Sequence, residues 1–220
     1  MGNKEKIKAV IFDMNGVIID DEHVHEIAFK DVLSSYGINL THEEYLKYFA
    51  GKTDKDGFIN IAEVYGVALP VEKLLTEKAQ IYLKAFPINK RSYPGVIELI
   101  QNLAEHYTLA LTSSSTRQEV NLVLREFNLE HYFRVAISTD DISHGKPDPE
   151  SYLKTAELLN INPSECVVIE DSKSGVISAK AAGMYCIGIT TTHQKKDLKE
   201  ADVVVNNFSQ ISTQLIVDSN

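Results

Sequence analysis

Four short stretches of this chain carry side chains that could do chemistry together. Phe12-Asp13-Met14-Asn15-Gly16-Val17 ends an apolar run in a carboxylate and an amide. Leu111-Thr112-Ser113-Ser114, with Ser115 following, ends another in hydroxyls. Gly145-Lys146-Pro147-Asp148-Pro149 offers a lysine, and Ile169-Glu170-Asp171-Ser172 offers two adjacent carboxylates. Acidic oxygens without histidine suit a hard cation such as Mg²⁺. A hydroxyl, backbone N–H groups and a lysine suit a phosphoryl group. A carboxylate beside both suits covalent phosphoryl transfer through an aspartyl-phosphate. Singly, each stretch has a plainer reading. Asp13 could cap a turn, Ser113 a helix, and Asp171-Ser172 the next helix, while Lys146 could sit in an exposed loop.

The elements decide between these readings. Ala9–Phe12 is a short apolar run of the kind a buried parallel strand needs. After residue 90, strand-like runs at Tyr107–Leu111, Val135–Ser138, Cys166–Ile169, Tyr185–Ile189 and Val203–Val205 alternate with helical patterns. Those patterns are Val96–His106, Gln118–Phe127, Pro149–Leu159 and Ser174–Ala182. This alternation predicts an α/β fold with a Rossmann-like parallel sheet covered on both faces. In such a sheet the strand ends share one edge, where ligands bind. Residues 21–90 differ. Glu22–Tyr36, His42–Ala50, Asp54–Tyr65 and Val71–Phe86 read as helices, with no strand between them. The predicted organisation is a core of residues 1–20 and 91–220 with an all-helical insert at 21–90.

Composition narrows the partners. The formal net charge of -9 argues against nucleic acid or an anionic membrane, both of which need a basic face. No run reaches the roughly 18 apolar residues of a membrane-spanning helix. The polar Met1–Lys8 segment does not read as a signal peptide. Cys166 and Cys186 each border an apolar run and read as buried, reduced thiols. The expectation is a cytoplasmic monomer acting on a small phosphorylated metabolite.

The four stretches, in this order, resemble the haloacid dehalogenase superfamily, and more narrowly its β-phosphoglucomutase-like phosphatases with a helical cap. The likeness covers essentially the whole chain. It implies that Asp13 attacks phosphorus and binds Mg²⁺, that Asn15 gives the metal its backbone carbonyl, and that Asp171 is a ligand. Glu170 would act beside Asp171, through water. Ser113 and the Ser114 backbone would hold the phosphoryl oxygens, and Lys146 would neutralise charge. Residues 21–90 would be a mobile cap that closes over the substrate. There His25, Lys52 in Gly51-Lys52-Thr53-Asp54, and Lys78 are the candidate substrate contacts. A solvated face is the alternative for each. His23, His42, His106, His131, His144 and His193 are expected at the surface.

Two positions depart from the family pattern. Its first motif is Asp-x-Asp, and the second Asp is the general acid/base. Here that position is Asn15, and an amide cannot shuttle a proton at neutral pH. Loss of positioned acid/base help costs about 10²- to 10⁴-fold. Either this is an Asp→Asn change in a parent phosphatase, or the chain is a natural member with altered activity. The first is favoured because the other motifs are intact. The second departure is Asp54, where the sugar-phosphate mutases carry an arginine for the substrate's second phosphate. A carboxylate repels a dianion, which favours hydrolysis over mutase chemistry. The expected activity is Mg²⁺-dependent phosphohydrolysis, impaired by Asn15. The alternatives are a β-phosphoglucomutase-type mutase and a non-catalytic phosphometabolite-binding protein.

Overall fold

A computed structural model describes residues 6–50 and 53–217. The chain opens with β1 (Ala9–Asp13), every residue of which is buried. It then forms four helices: α1 (Glu22–Ser34), α2 (His42–Tyr48), α3 (Asp54–Tyr65) and α4 (Val71–Asn89). The rest alternates: α5 (Val96–Ala104), β2 (Thr108–Thr112), α6 (Arg117–Glu126), β3 (Phe133–Ile137), α7 (Glu150–Leu159), β4 (Cys166–Glu170), α8 (Lys173–Ala181), β5 (Tyr185–Ile189), β6 (Val203–Val205) and α9 (Thr213–Val217).

The strands form one parallel sheet in the order β3-β2-β1-β4-β5-β6. β1 is central, with Ile11 beside Ala110 on one side and Val168 on the other. The chain therefore builds outward from β1 in one direction and returns to build in the other. That switch point is where open α/β sheets form their ligand crevice. Ala9, Ile11, Ala110, Cys166, Val168 and Cys186 pack on one face against Tyr152 and Ala156 of α7 and Val176 and Ala179 of α8. Both cysteines are free and buried.

The chain divides into two compact units, residues 1–20 with 92–220, and 21–91. The second crossing thus falls one residue later than the sequence suggests. Its cause is local. Ser92 forms an antiparallel bridge to Ile19, and the Tyr93 N–H donates to the Ile18 carbonyl at 3.1 Å. Arg91 therefore groups with the helices.

In the helical unit, Phe29, Phe49, Phe58, Leu33, Ile61 and Leu74 form a separate core. Phe29 lies 4.2 Å from Phe49 and 5.3 Å from Phe58, centroid to centroid. Pro87 ends the expected fourth helix at Phe86, because proline lacks an N–H for the ladder. The structure instead carries α4 through Pro87 to Asn89. The Asn89 side chain donates to the Ala85 carbonyl at 2.9 Å, helping to satisfy the last turn. No helix among the described residues is long and apolar enough to cross a membrane.

Candidate active site

β1 delivers Asp13 to the sheet edge and the following loop folds back at once. Gly16 takes φ +78°, and the Ile18 and Ile19 N–H groups both donate to the Met14 carbonyl. Glycine is required there for a second reason: a Cβ would lie 2.1 Å from Asp171 Oδ2. β4 ends in Glu170 and leads directly to Asp171. Oxygens of Asp13, Glu170 and Asp171 lie within 4.8 Å of one another, and all three residues are buried.

One cation answers these three acids. Lys146 Nζ lies 2.5 Å from Asp13 Oδ1 and 2.6 Å from Glu170 Oε1. Its loop is held by its own motif. Asp148 Oδ1 accepts from the Glu150 N–H that opens α7, and the Asp148 carbonyl accepts from Ser178 Oγ at 2.7 Å. Tyr152 lies beneath, with its ring 5.1 Å from Lys146 Nζ and its hydroxyl donating to Glu170 Oε1 at 3.0 Å.

Glu170 is fully engaged. Oε1 takes Lys146 and Tyr152, while Oε2 accepts from the Asp171 and Ser172 N–H groups and from Ser172 Oγ. Ser172 also caps α8, accepting from the Gly175 N–H. Gly175 has no room for a side chain, since a Cβ would meet Glu170 Oε1 at 1.6 Å. The other two acids each keep an oxygen without a donor among the described residues. Lys146 takes Oδ1 of Asp13, and Thr192 donates to Oδ2 of Asp171.

The electrostatics follow this division. Burial raises the Glu170 carboxyl, but Lys146 and the surrounding donors more than offset it, holding it below the usual carboxylate range. Burial pushes Asp13 well above that range, opposed by Lys146 and reinforced by Glu170 and Asp171. Burial and then Glu170 push Asp171 up to about 7. Lys146 is lowered by burial and raised further by Asp13 and Glu170, ending well above the usual lysine value. Among the described residues three carboxylates face one ammonium, so the surplus negative charge falls on the two acids with an unengaged oxygen. A divalent cation fits that surplus and those oxygens. With only one or two carboxylate ligands, Mg²⁺ keeps several waters, which suits a site this sparse.

On β2's side, Asn15 Oδ1 accepts from Ser113 Oγ at 3.1 Å and Ser115 Oγ at 2.9 Å. The Ser115 N–H donates to Ser113 Oγ at 3.0 Å. Ser113 is buried and Ser114 exposed. The structure thus joins Asp13, Asn15, Ser113, Lys146, Glu170 and Asp171 in one unit. Sequence reasoning missed Ser115 as a partner of Asn15, and also Tyr152, Thr192 and Gly175. Gly175 carried a signal, because glycine in a helix's first turn is unfavourable unless something must approach closely.

The helical unit holds a second polar cluster. Lys78 is buried, and its Nζ lies 2.8 Å from Asp54 Oδ2 and 2.7 Å from His25 Nδ1. The rings of Phe29 and Tyr82 lie 4.8 and 5.6 Å from it. His25 stacks on Tyr82 at 4.5 Å and sits 3.2 Å from Asp21, which also accepts from the Tyr82 hydroxyl. Lys78 is therefore not on a solvated face, and its charge is already answered inside the unit. Asp54 is likewise not an isolated carboxylate. His23, expected at the surface, is half-buried and bonds the Asn89 carbonyl at 2.8 Å, joining the first turn of α1 to the end of α4. Lys52 lies outside the described residues.

Residues 10–189 match the haloacid dehalogenase-like hydrolase family. A phosphorylated carbohydrates phosphatase of Thermotoga maritima is 36% identical over 201 residues, covering 90% of this chain and 93% of that protein. The β-phosphoglucomutase of Bacillus subtilis is 28% identical over 219 residues, covering 96% and 94%. A crystal structure of a family IA, variant 3 hydrolase from Entamoeba histolytica superposes with TM-score 0.83 at 28% identity, covering 97% and 99%. The chain belongs to the haloacid dehalogenase-like hydrolase family, and its relatives are of the β-phosphoglucomutase-like type.

Proposed function

We propose that this chain is a Mg²⁺-dependent phosphohydrolase of small phosphorylated metabolites. It works through an aspartyl-phosphate on Asp13, with turnover held down by Asn15. The observation that carries this reading is the buried group of three carboxylates around Lys146, in which, among the described residues, Asp13 and Asp171 each keep an oxygen without a donor. Those two oxygens, with the Asn15 backbone carbonyl, would hold the cation. When bound, Mg²⁺ supplies positive charge against the phosphoryl oxygens.

The chain's own residues do the rest. Lys146, held by Glu170 and Tyr152, opposes the rise that burial imposes on the Asp13 carboxyl and adds positive charge to the transferring group. An Asp13 oxygen attacks phosphorus and the bond to the leaving oxygen breaks. The backbone at Ser114 would face the transferred oxygens, and the Ser113 hydroxyl would do so by exchanging its bond to Asn15 for one to a phosphoryl oxygen. The leaving oxygen then needs a proton, and the water that cleaves the aspartyl-phosphate must lose one. Asn15 can do neither. Its amide oxygen instead accepts from Ser113 and Ser115.

Phosphorylated carbohydrates are the first substrate class to test, following the Thermotoga relative. Asp54 stands where the mutases of this family carry an arginine and brings no positive charge for a second phosphate. This favours monophosphates and hydrolysis over the mutase reaction. The test is phosphate release from a panel of phosphorylated metabolites by the Asn15→Asp variant with Mg²⁺. Mg²⁺-dependent release of at least about 10²-fold over the unaltered chain is expected. A second reading, binding without hydrolysis, is favoured by Asn15 itself. It would show as ligand binding with no release in either protein.

A further inference from the structure

We infer that Thr192 makes Asp171 a one-oxygen ligand, so that the site selects a small six-coordinate cation such as Mg²⁺ over a larger one such as Ca²⁺. The inference rests on the Mg²⁺-dependent reading above. It comes from the loop after β5, which none of the four motifs includes. β5 lies beside β4, so this loop arrives at the same sheet edge as Asp171.

Two successive threonines tie the loop down. Thr191 Oγ1 donates to the Gly16 carbonyl at 2.5 Å. Thr192 Oγ1 donates to Asp171 Oδ2. Gly16 walls the same oxygen from another side, since even a Cβ there would lie 2.1 Å from it. His193 Nδ1 lies 2.8 Å from Thr192 Oγ1. A hydroxyl has one hydrogen, and Asp171 takes it, so His193 Nδ1 is the N–H donor that orients Thr192. Oδ2 thus carries the Thr192 donor and is the more enclosed oxygen, and among the described residues Oδ1 is the freer one. Asp13 is divided in the same way, with Lys146 on Oδ1. For either carboxylate to close on a cation with both oxygens, its donor would have to share or give up the engaged oxygen, which disfavours a two-oxygen grip.

The two cations differ on this point. Ca²⁺ takes 6–8 oxygens at about 2.3–2.6 Å and often uses both oxygens of a carboxylate. Mg²⁺ demands an octahedron at about 2.0–2.1 Å, built from single oxygens and retained waters. Thr192 is a positioning residue that enforces the second pattern.

The test is calorimetric titration of Mg²⁺ and of Ca²⁺ into the full chain and its Thr192→Val and Thr192→Ser variants, without phosphorylated ligand. Thr192→Val should weaken Mg²⁺ binding about 10-fold or more, as loss of an outer partner of a ligand typically does. It should weaken Ca²⁺ less, so that the Mg²⁺/Ca²⁺ affinity ratio falls. Thr192→Ser, which keeps the hydroxyl, should restore the ratio. A folded Thr192→Val protein with the parent ratio overturns the inference alone. A parent chain that binds neither cation overturns the Mg²⁺ reading and this inference with it. Thr192→Val leaves a buried Asp171 oxygen without its donor, so its melting temperature should fall while the transition stays cooperative, and that cooperative transition certifies the fold.

Discussion

Two lysines of this chain are buried in nearly the same manner and do different things. Lys146 in the sheet unit and Lys78 in the helical unit each have two close polar partners, and each lies against aromatic side chains, Lys146 over Tyr152 and Lys78 over Phe29 and Tyr82. What separates them is the count of charge around them. Lys146 faces Asp13 and Glu170, with Asp171 beside them, so three buried acids share one cation. Lys78 faces one carboxylate, Asp54, which is 40% exposed and still solvated. An imbalance in a dry site is costly, and proteins retain it where chemistry uses it. A balanced pair with one wet partner carries no such surplus. Burial of a lysine is therefore not the signal; the unbalanced company it keeps is.

The largest expected difference between the two comes from removing each ammonium. Lys146→Met leaves three buried acids without a counter-charge and should cost about 3–5 kcal/mol of unfolding free energy, partly recovered by Mg²⁺. Lys78→Met replaces the stem with a similar apolar shape and leaves Asp54 to water, so about 1 kcal/mol or less is expected. Equal losses in denaturant titrations would break the comparison. A smaller effect tests how tightly Glu170 is held. Alanine usually stabilises a helix over glycine by about 1 kcal/mol. Gly175→Ala should reverse that sign and cost about 1–3 kcal/mol, because its Cβ would overlap Glu170 Oε1. A raised melting temperature would show that Glu170 can move aside.

The smallest predicted effect is in pH. Asp171 is raised from 3.8 to about 7 in the folded chain, so between those values the folded state holds a proton that the unfolded state has lost. Without metal, this group's contribution to stability is present below about 3.8 and is lost as pH rises to about 7. Mg²⁺ competes with that proton, so the melting-temperature gain from Mg²⁺ should grow with pH up to about 7 and then level off. A gain independent of pH over that window would remove Asp171 from the ligand set.

Much of this was legible in the sequence, for identifiable reasons. The strands are short apolar runs, and parallel pairing brings their ends to one edge, so Asp13, Ser113 and Glu170 could be grouped without coordinates. The lysine loop and its order among the motifs placed Lys146 with them. What escaped were contacts between residues that no periodicity links: Tyr152 with Glu170, Thr192 with Asp171, and Ser115 with Asn15. The solvated-face alternative to Lys78 as a substrate contact overlooked a pattern that was present. Leu74, Lys78, Tyr82 and Phe86 recur at every fourth residue of α4, and all are buried. A charged residue on an apolar stripe is more simply a paired core residue than a solvated one. The reach of α4 past Pro87 was not legible, because it depends on Asn89 bonding back to Ala85.

The most direct test of the central claim is the time course of p-nitrophenol release from p-nitrophenyl phosphate with Mg²⁺. Nitrophenolate leaves without a proton, so Asp13 can be phosphorylated even with Asn15 in place. The second step still lacks a base for water. The chain as it stands should release a burst of about one nitrophenol per molecule and then slow, while Asn15→Asp should turn over steadily, at least about 10²-fold faster. A linear course without a burst, with a rate unchanged in Asn15→Asp, would contradict the account of both Asp13 and Asn15.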